Sequence, residues 1–116
     1  MKRFFSSVGF AALFSVVMVG APVAQADDIG YLVNVTVRPG YNFANPDQAL
    51  AYGHGVCDKI ASGRTYGQLV GDIKADFNTS DEFQASYLIS QSAQELCSAQ
   101  IWQLRNSAAG YVGAPD

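Results

Sequence analysis

The sequence predicts an all-α fold, a small bundle of about four helices stapled by one disulfide. Three observations predict it. Residues 45–63 and 65–77 each carry a helix start signal, one apolar face and a stop signal. No convincing pair of strands exists for a sheet. Cys57 and Cys97, the two cysteines of the chain, fall on two separate helical segments.

Residues 1–26 read as a signal peptide that is not part of the fold. Lys2 and Arg3 give a positive start, Phe4 to Val19 is almost uninterruptedly apolar, and Ala24-Gln25-Ala26 offers small residues for cleavage after Ala26. The apolar run is short for a membrane span, no stop-transfer pattern follows it, and no cysteine at the cut could take a lipid. The expected product, residues 27–116, is secreted or held in the cell envelope without a membrane span. A helical domain over residues 27–109 and a flexible tail over 110–116 complete the predicted organisation.

Residues 27–38 are two-sided. Tyr31, Val33, Val35 and Val37 alternate as in a strand, whereas Ile29, Leu32, Val33 and Thr36 stand at helical spacing behind Asp27 and Asp28. A lone strand has nothing to pair with, which favours a short helix. Arg38-Pro39-Gly40-Tyr41-Asn42 is a turn. Asn45 then caps a helix with Pro46 at its first position. Its inner face is Ala49, Gly53, Val56, Cys57 and Ile60, and Gly63 ends it. Glycine on a buried face suggests close approach by another backbone, an argument that suits Gly53 better than Gly55. Thr65 caps the next helix, whose stripe is Tyr66, Leu69, Val70, Ile73 and Phe77. Ser80, followed by Asp81 and Glu82, opens a last and longest helix. Phe83, Tyr87, Ser90, Ala93, Cys97, Ile101 and Leu104 form its inner stripe, with Leu96 and Trp102 flanking, and it runs to about Asn106.

Two cysteines in a secreted chain are most simply bridged to each other; free thiols and an intermolecular bridge are the alternatives. Closing a loop of 40 positions contributes about 4 kcal/mol on the chain-entropy account. For a domain this small that is a large share of the stability. Residues 27–116 hold ten acids against Arg38, Lys59, Arg64, Lys74 and Arg105, a net charge of −5. Such a chain offers no patch to neutralise phosphates, which argues against nucleic acid and anionic lipid surfaces as partners.

Several residues together resemble a known family: Tyr31-Leu32, Gly40, the run Gly53-x-x-x-Cys57-x-x-Ile60-x-x-Gly63, Leu69-Val70, and an Ala- and Ser-rich stretch ending at Cys97. The pattern is similar to the small secreted actinobacterial family called domain of unknown function 732, abundant in mycobacteria, over roughly residues 27–98. The resemblance implies a compact, mainly helical secreted domain with bridged cysteines, and no known activity. Family members often carry a proline directly after the second cysteine. Here Ser98 stands in that place, and the helical pattern continues through Ile101 and Leu104.

Candidate chemistry is thin. His54 is the single histidine, and with Tyr41 and Tyr52 it could make a haem ligand set. Positions 52 and 54 of one helix point in different directions, however, which favours a solvent-facing His54. Zinc needs four clustered ligands. No G-x-S-x-G elbow or triad is present. Asp72 and Asp76 share a helix face, an arrangement that serves acid–base chemistry only within a cleft and otherwise reads as a solvated surface. Asn34-Val35-Thr36 and Asn78-Thr79-Ser80 fit glycosylation sequons, which a bacterial origin would make irrelevant. Tyr41 and Phe43, in a loop, are candidates for an exposed apolar patch that meets a partner or ligand, with Tyr52 and His54 nearby. The expected function is a non-enzymatic interaction module without a cofactor, meeting an unknown protein. The alternative is a carrier of a small apolar ligand or haem.

Overall fold

A computed structural model describes residues 21–113, with side chains from residue 27 onward. Among the described residues there are five α-helices and no strand: α1 Ala21–Thr36, α2 Pro46–Ala61, α3 Tyr66–Asp76, α4 Glu82–Leu96 and α5 Ile101–Ala108. A 3-10 turn, Ser98–Gln100, joins α4 to α5. The signal segment lies mostly outside the described residues, and α1 runs across the expected cut after Ala26. Helix α4 is central, packing against α1, α2 and α3, while α5 lies on α3 and touches α2.

The helix ends follow local chemistry. Asn45 Oδ1 accepts the Gln48 N–H at 2.8 Å, and Pro46 occupies the first turn of α2, where a missing N–H is harmless. At the far end Gly63 takes φ +98°, its N–H donates to Ile60 O, and Arg64 N–H donates to Lys59 O, closing a Schellman motif. Thr65 and Gln68 form a reciprocal capping box on α3. Asn78, at φ +51°, ends α3 as Gly63 ends α2, with Thr79 N–H donating to Lys74 O. The cap of α4 is Asp81, not Ser80: its Oδ1 accepts the Phe83 N–H at 2.9 Å. A carboxylate there also meets the helix dipole, which a serine hydroxyl does not.

The face of α2 matches its pattern, with Ala49, Gly53, Val56, Cys57 and Ile60 all buried. Helix α1 is a helix but turns a different face inward. Tyr31 and Val35 are fully buried, while Ile29 is 59% exposed and Val33 55%. A four-residue repeat of the one large aromatic and a valine fixes the seam, because Tyr31 reaches across to donate its hydroxyl hydrogen to Ala49 O at 2.9 Å.

The last segment is two helices, not one. Cys97 leaves the helical region at φ −150°, ψ 57°, and Gln100 N–H donates back to Cys97 O to start the 3-10 turn. The core face of α4 is Ala85, Leu88, Ile89, Ser92 and Ala93, a set rotated from the expected stripe. Phe83 is 58% exposed and Trp102 70%. Ala85, Ser92 and Ala93 on that core face let α4 sit close to three neighbours at once, with Leu88 and Ile89 filling the core between them.

Cys57 and Cys97 are bridged, with their Cα atoms 6.0 Å apart. Beside the bridge, a Cβ on Gly53 would fall 2.6 Å from Leu96 Cδ1 and 2.7 Å from Tyr31 Cζ, whereas one on Gly55 would meet nothing within 4 Å. Gly53 is therefore the residue that lets α1, α2 and α4 close together.

Candidate functional site

Of the four residues that stand out as contacts, the fold gathers three and leaves His54 apart. Tyr41, Phe43 and Tyr52 come together with Phe77 in an aromatic cluster, ring centroids 5.2–6.2 Å apart. Tyr41 is not part of an exposed patch: it is 4% exposed, and its hydroxyl donates to Gln84 O at 2.6 Å. The loop after Pro39 is pulled onto the core by this ring, which seals the space between α2, α3 and α4. Phe43 is half-buried on the same cluster.

The tyrosines are held protonated. Burial pushes Tyr41 up to about 12, against the partial opposing effect of Arg38 beside it. Burial, then the hydrogen bond to Asp76, raises Tyr52 further; its hydroxyl donates to Asp76 Oδ2 at 2.6 Å. Iron ligation by tyrosine uses the phenolate, so neither hydroxyl is prepared for it. His54 lies on the other side of α2, its side chain 53% exposed and its Nε2 3.8 Å from Asp28 Oδ1. The imagined haem set is therefore not assembled around one space.

Asp72 and Asp76 also have structural partners. Asp72 receives Arg64 Nε and Nη2 at 2.6 Å each and Lys59 Nζ at 3.2 Å, tying α3 to the end of α2. The Arg64 fork is the main reason the Asp72 carboxyl is held below its usual range. Glu82 meets Lys74 and accepts from the Tyr111 hydroxyl at 3.1 Å. Tyr111 in turn packs edge-on against Tyr66 at 5.1 Å. The start of the C-terminal tail is thus docked against α3 and α4. Among the described residues no group of three or more His, Cys, Asp or Glu side chains is arranged to hold a metal. No described helix is long and apolar enough to cross a membrane.

The structure opens at a place the sequence did not mark. A groove of about 440 Å³ runs between α3, α4 and α5. Tyr66, Ala93, Ile101, Leu104 and Ala108 line it with apolar side chains, and Ser90, Gln94 and Arg105 with polar ones. It exists because the break at Cys97 swings α5 off the axis of α4 and onto α3; a straight helix would leave no such trough. The guanidinium of Arg105 rests over the Trp102 ring, 5.5 Å from its centroid. A second opening of about 380 Å³ lies between the end of α1 and the loop before α2. The alanines at 93 and 108 were the available sequence signal for the groove, since small residues on packed helices leave room. A break after position 97 had no glycine or proline to announce it.

A family model described as Protein of unknown function (DUF732) matches residues 26–99, which includes both cysteines, Gly53 and Gly63. Neither a curated protein nor a solved structure gives a match.

Proposed function

The chain belongs to the DUF732 family, and from that premise we propose that it is an exported, non-enzymatic binding module that takes an apolar ligand segment into the groove between α3, α4 and α5. The groove itself carries this reading. It is open and lined by three helices, apolar at Tyr66, Ala93, Ile101, Leu104 and Ala108 and polar at Ser90, Gln94 and Arg105, the mix of apolar surface and a few polar groups that small-ligand sites use. Export is supported by the basic start, apolar run and Ala24-Gln25-Ala26 of the sequence, and by an extracellular type of scaffold, small and disulfide-braced.

A binding role rather than catalysis is supported by where the titratable side chains sit. Asp72, Asp76 and Glu82 are spent on Arg64, Tyr52 and Lys74, and His54 faces solvent beside Asp28. None of them converges on the groove with a nucleophile.

The test is a titration with dodecanol followed by Trp102 fluorescence, together with native mass spectrometry of protein isolated from its own host. Trp102 is the single tryptophan and neighbours Arg105 on the groove's edge. A saturable shift that Ala108→Ile abolishes is expected. A flat titration with no co-purified small molecule would refute the reading.

A further inference from the structure

The Cys57–Cys97 bridge stands at a border between two kinds of packing. Before it, α4 contributes Leu88, Ile89, Ser92 and Ala93 to the buried core. After it come the 3-10 turn and α5, and no residue of either is buried. Neither has a side-chain cap at its start, and Ser98-Ala99-Gln100 holds no glycine or proline to turn the chain. The change of direction after Cys97 therefore has no local cause, and ties to the rest of the molecule must hold it. Among the described residues α5 has two hydrogen bonds to other helices. Gln103 Nε2 donates to Ile60 O at 2.7 Å, and Ser107 Oγ accepts the Tyr66 N–H at 3.0 Å. Ile101 and Leu104 pack half-buried on the core, and beyond α5 the Tyr111 ring rests on Tyr66. A helix of eight residues so lightly held belongs to the least stable part of a fold. The bridge, which fixes the end of α4 to α2 immediately before it, is its strongest tie.

The surroundings of the two sulfurs suit both oxidation states. Cys57 is buried and Cys97 only half-buried, so a thiolate from outside reaches Cys97 Sγ first. Ser92 O lies 3.6 Å from Cys57 Sγ and 3.7 Å from Cys97 Sγ. A disulfide has no hydrogen to offer that carbonyl, whereas a reduced thiol does, so the buried S–H finds an acceptor already in place. The chain has no third cysteine, and reoxidation within one molecule can only restore the same pair. We propose that the bridge is a redox-controlled clasp on α5: a dithiol opens it, α5 leaves α2 and α3, and the groove loses the wall made by Ile101, Leu104 and Ala108. A thiolate of the dithiol attacks Cys97 Sγ, the S–S bond breaks, and its electron pair leaves on Cys57 Sγ, which takes a proton. The second thiolate of the dithiol then attacks the mixed disulfide and frees Cys97, which is protonated in turn. Two electrons pass to the protein, and the dithiol ends as its own disulfide. The consequence for ligand binding rests on the groove reading above; the release of α5 does not.

The test is NMR of the protein before and after reduction by dithiothreitol. Nuclear Overhauser contacts between Gln103 and Ile60 and between Ser107 and Tyr66 should be present in the oxidised protein and absent in the reduced one. The contact of Tyr31 with Ala49, which joins α1 to α2, should persist in both. Removing the reductant in air should restore the lost contacts. Dodecanol should bind the reduced protein roughly tenfold or more weakly than the oxidised one. If it binds neither form, the groove reading fails, and the contacts alone still decide the clasp. Where reduction unfolds the wild type, the measurement is repeated on Gly55→Ala, whose gain in helix propensity offsets part of the loss. Unchanged α5 contacts in the fully reduced protein would overturn the clasp. So would their loss only together with the Tyr31–Ala49 contact in both backgrounds, which makes the bridge a brace of the whole fold. A bridge that dithiothreitol leaves closed until the chain unfolds would overturn it as well.

Discussion

The two faces of α4 divide the molecule. On one, Leu96 closes with Tyr31 and Gly53 beside the Cys57–Cys97 bridge so tightly that an added methyl at Gly53 has no room. On the other, only a few residues away, the same helix borders an open groove with α5. The tight side has a cross-link, a missing side chain and a buried Tyr31 hydroxyl to hold it; the open side has alanines and an exposed Trp102. The contrast teaches that rigidity and open space are made by the same short segment. Cys97 anchors the end of α4, and the change of direction it imposes is what lifts α5 away.

The largest expected effect comes from cutting the brace. Replacing Cys57 and Cys97 together by serine should cost about 4 kcal/mol in denaturant unfolding, and the groove should lose its definition with the fold. Next is Gly53→Ala, which forces Tyr31 or Leu96 aside and should cost about 1–3 kcal/mol, the range for overpacking a core. Its control sharpens the comparison: Gly55→Ala, with nothing within 4 Å, should instead stabilise by up to about 1 kcal/mol through helix propensity. A Gly53→Ala variant as stable as wild type would break the distinction between the two faces.

Tyr31→Phe should cost about 1 kcal/mol at neutral pH by removing the hydrogen bond to Ala49 O. It also has a pH signature. Burial holds Tyr31 and Tyr41 protonated up to about 12, against an ordinary 10. The unfolded chain therefore releases these protons first, and stability that is intact below pH 10 should fall between pH 10 and 12. Tyr31→Phe should make that fall shallower in alkaline titrations followed by circular dichroism. The smallest effect belongs to His54→Ala, within about 0.5 kcal/mol, since its side chain is largely exposed and its Asp28 neighbour lies at 3.8 Å.

Helix α2 was fully legible in the sequence because each local signal agreed with its neighbours: Asn45 and Pro46 at the start, one apolar stripe, Gly63 at the end. Helix α4 was not. Phe83 and Tyr87 look like core by periodicity, yet the position of α4 among three neighbours puts Ala85, Leu88, Ile89, Ser92 and Ala93 inside, leaving Phe83 exposed and Tyr87 at the margin of the core. The aromatic cluster was half legible. Tyr41, Phe43 and Tyr52 are recognisable as unusual, but only the loop's path shows that Tyr41 goes under it and not onto the surface. Arg38 gave no sign at all, since its ring partners lie 45 and 49 positions away.

By itself the sequence determined α2 and α3, their caps and the choice of Gly53 over Gly55, because these depend on backbone dihedrals and on neighbours within a turn or two. It also determined which two sulfurs could meet. Tertiary structure alone decided which face of α1 and α4 is buried, where the last helix breaks, and where space is left open. Those outcomes depend on how several helices share one volume, and no single period along the chain encodes a shared volume.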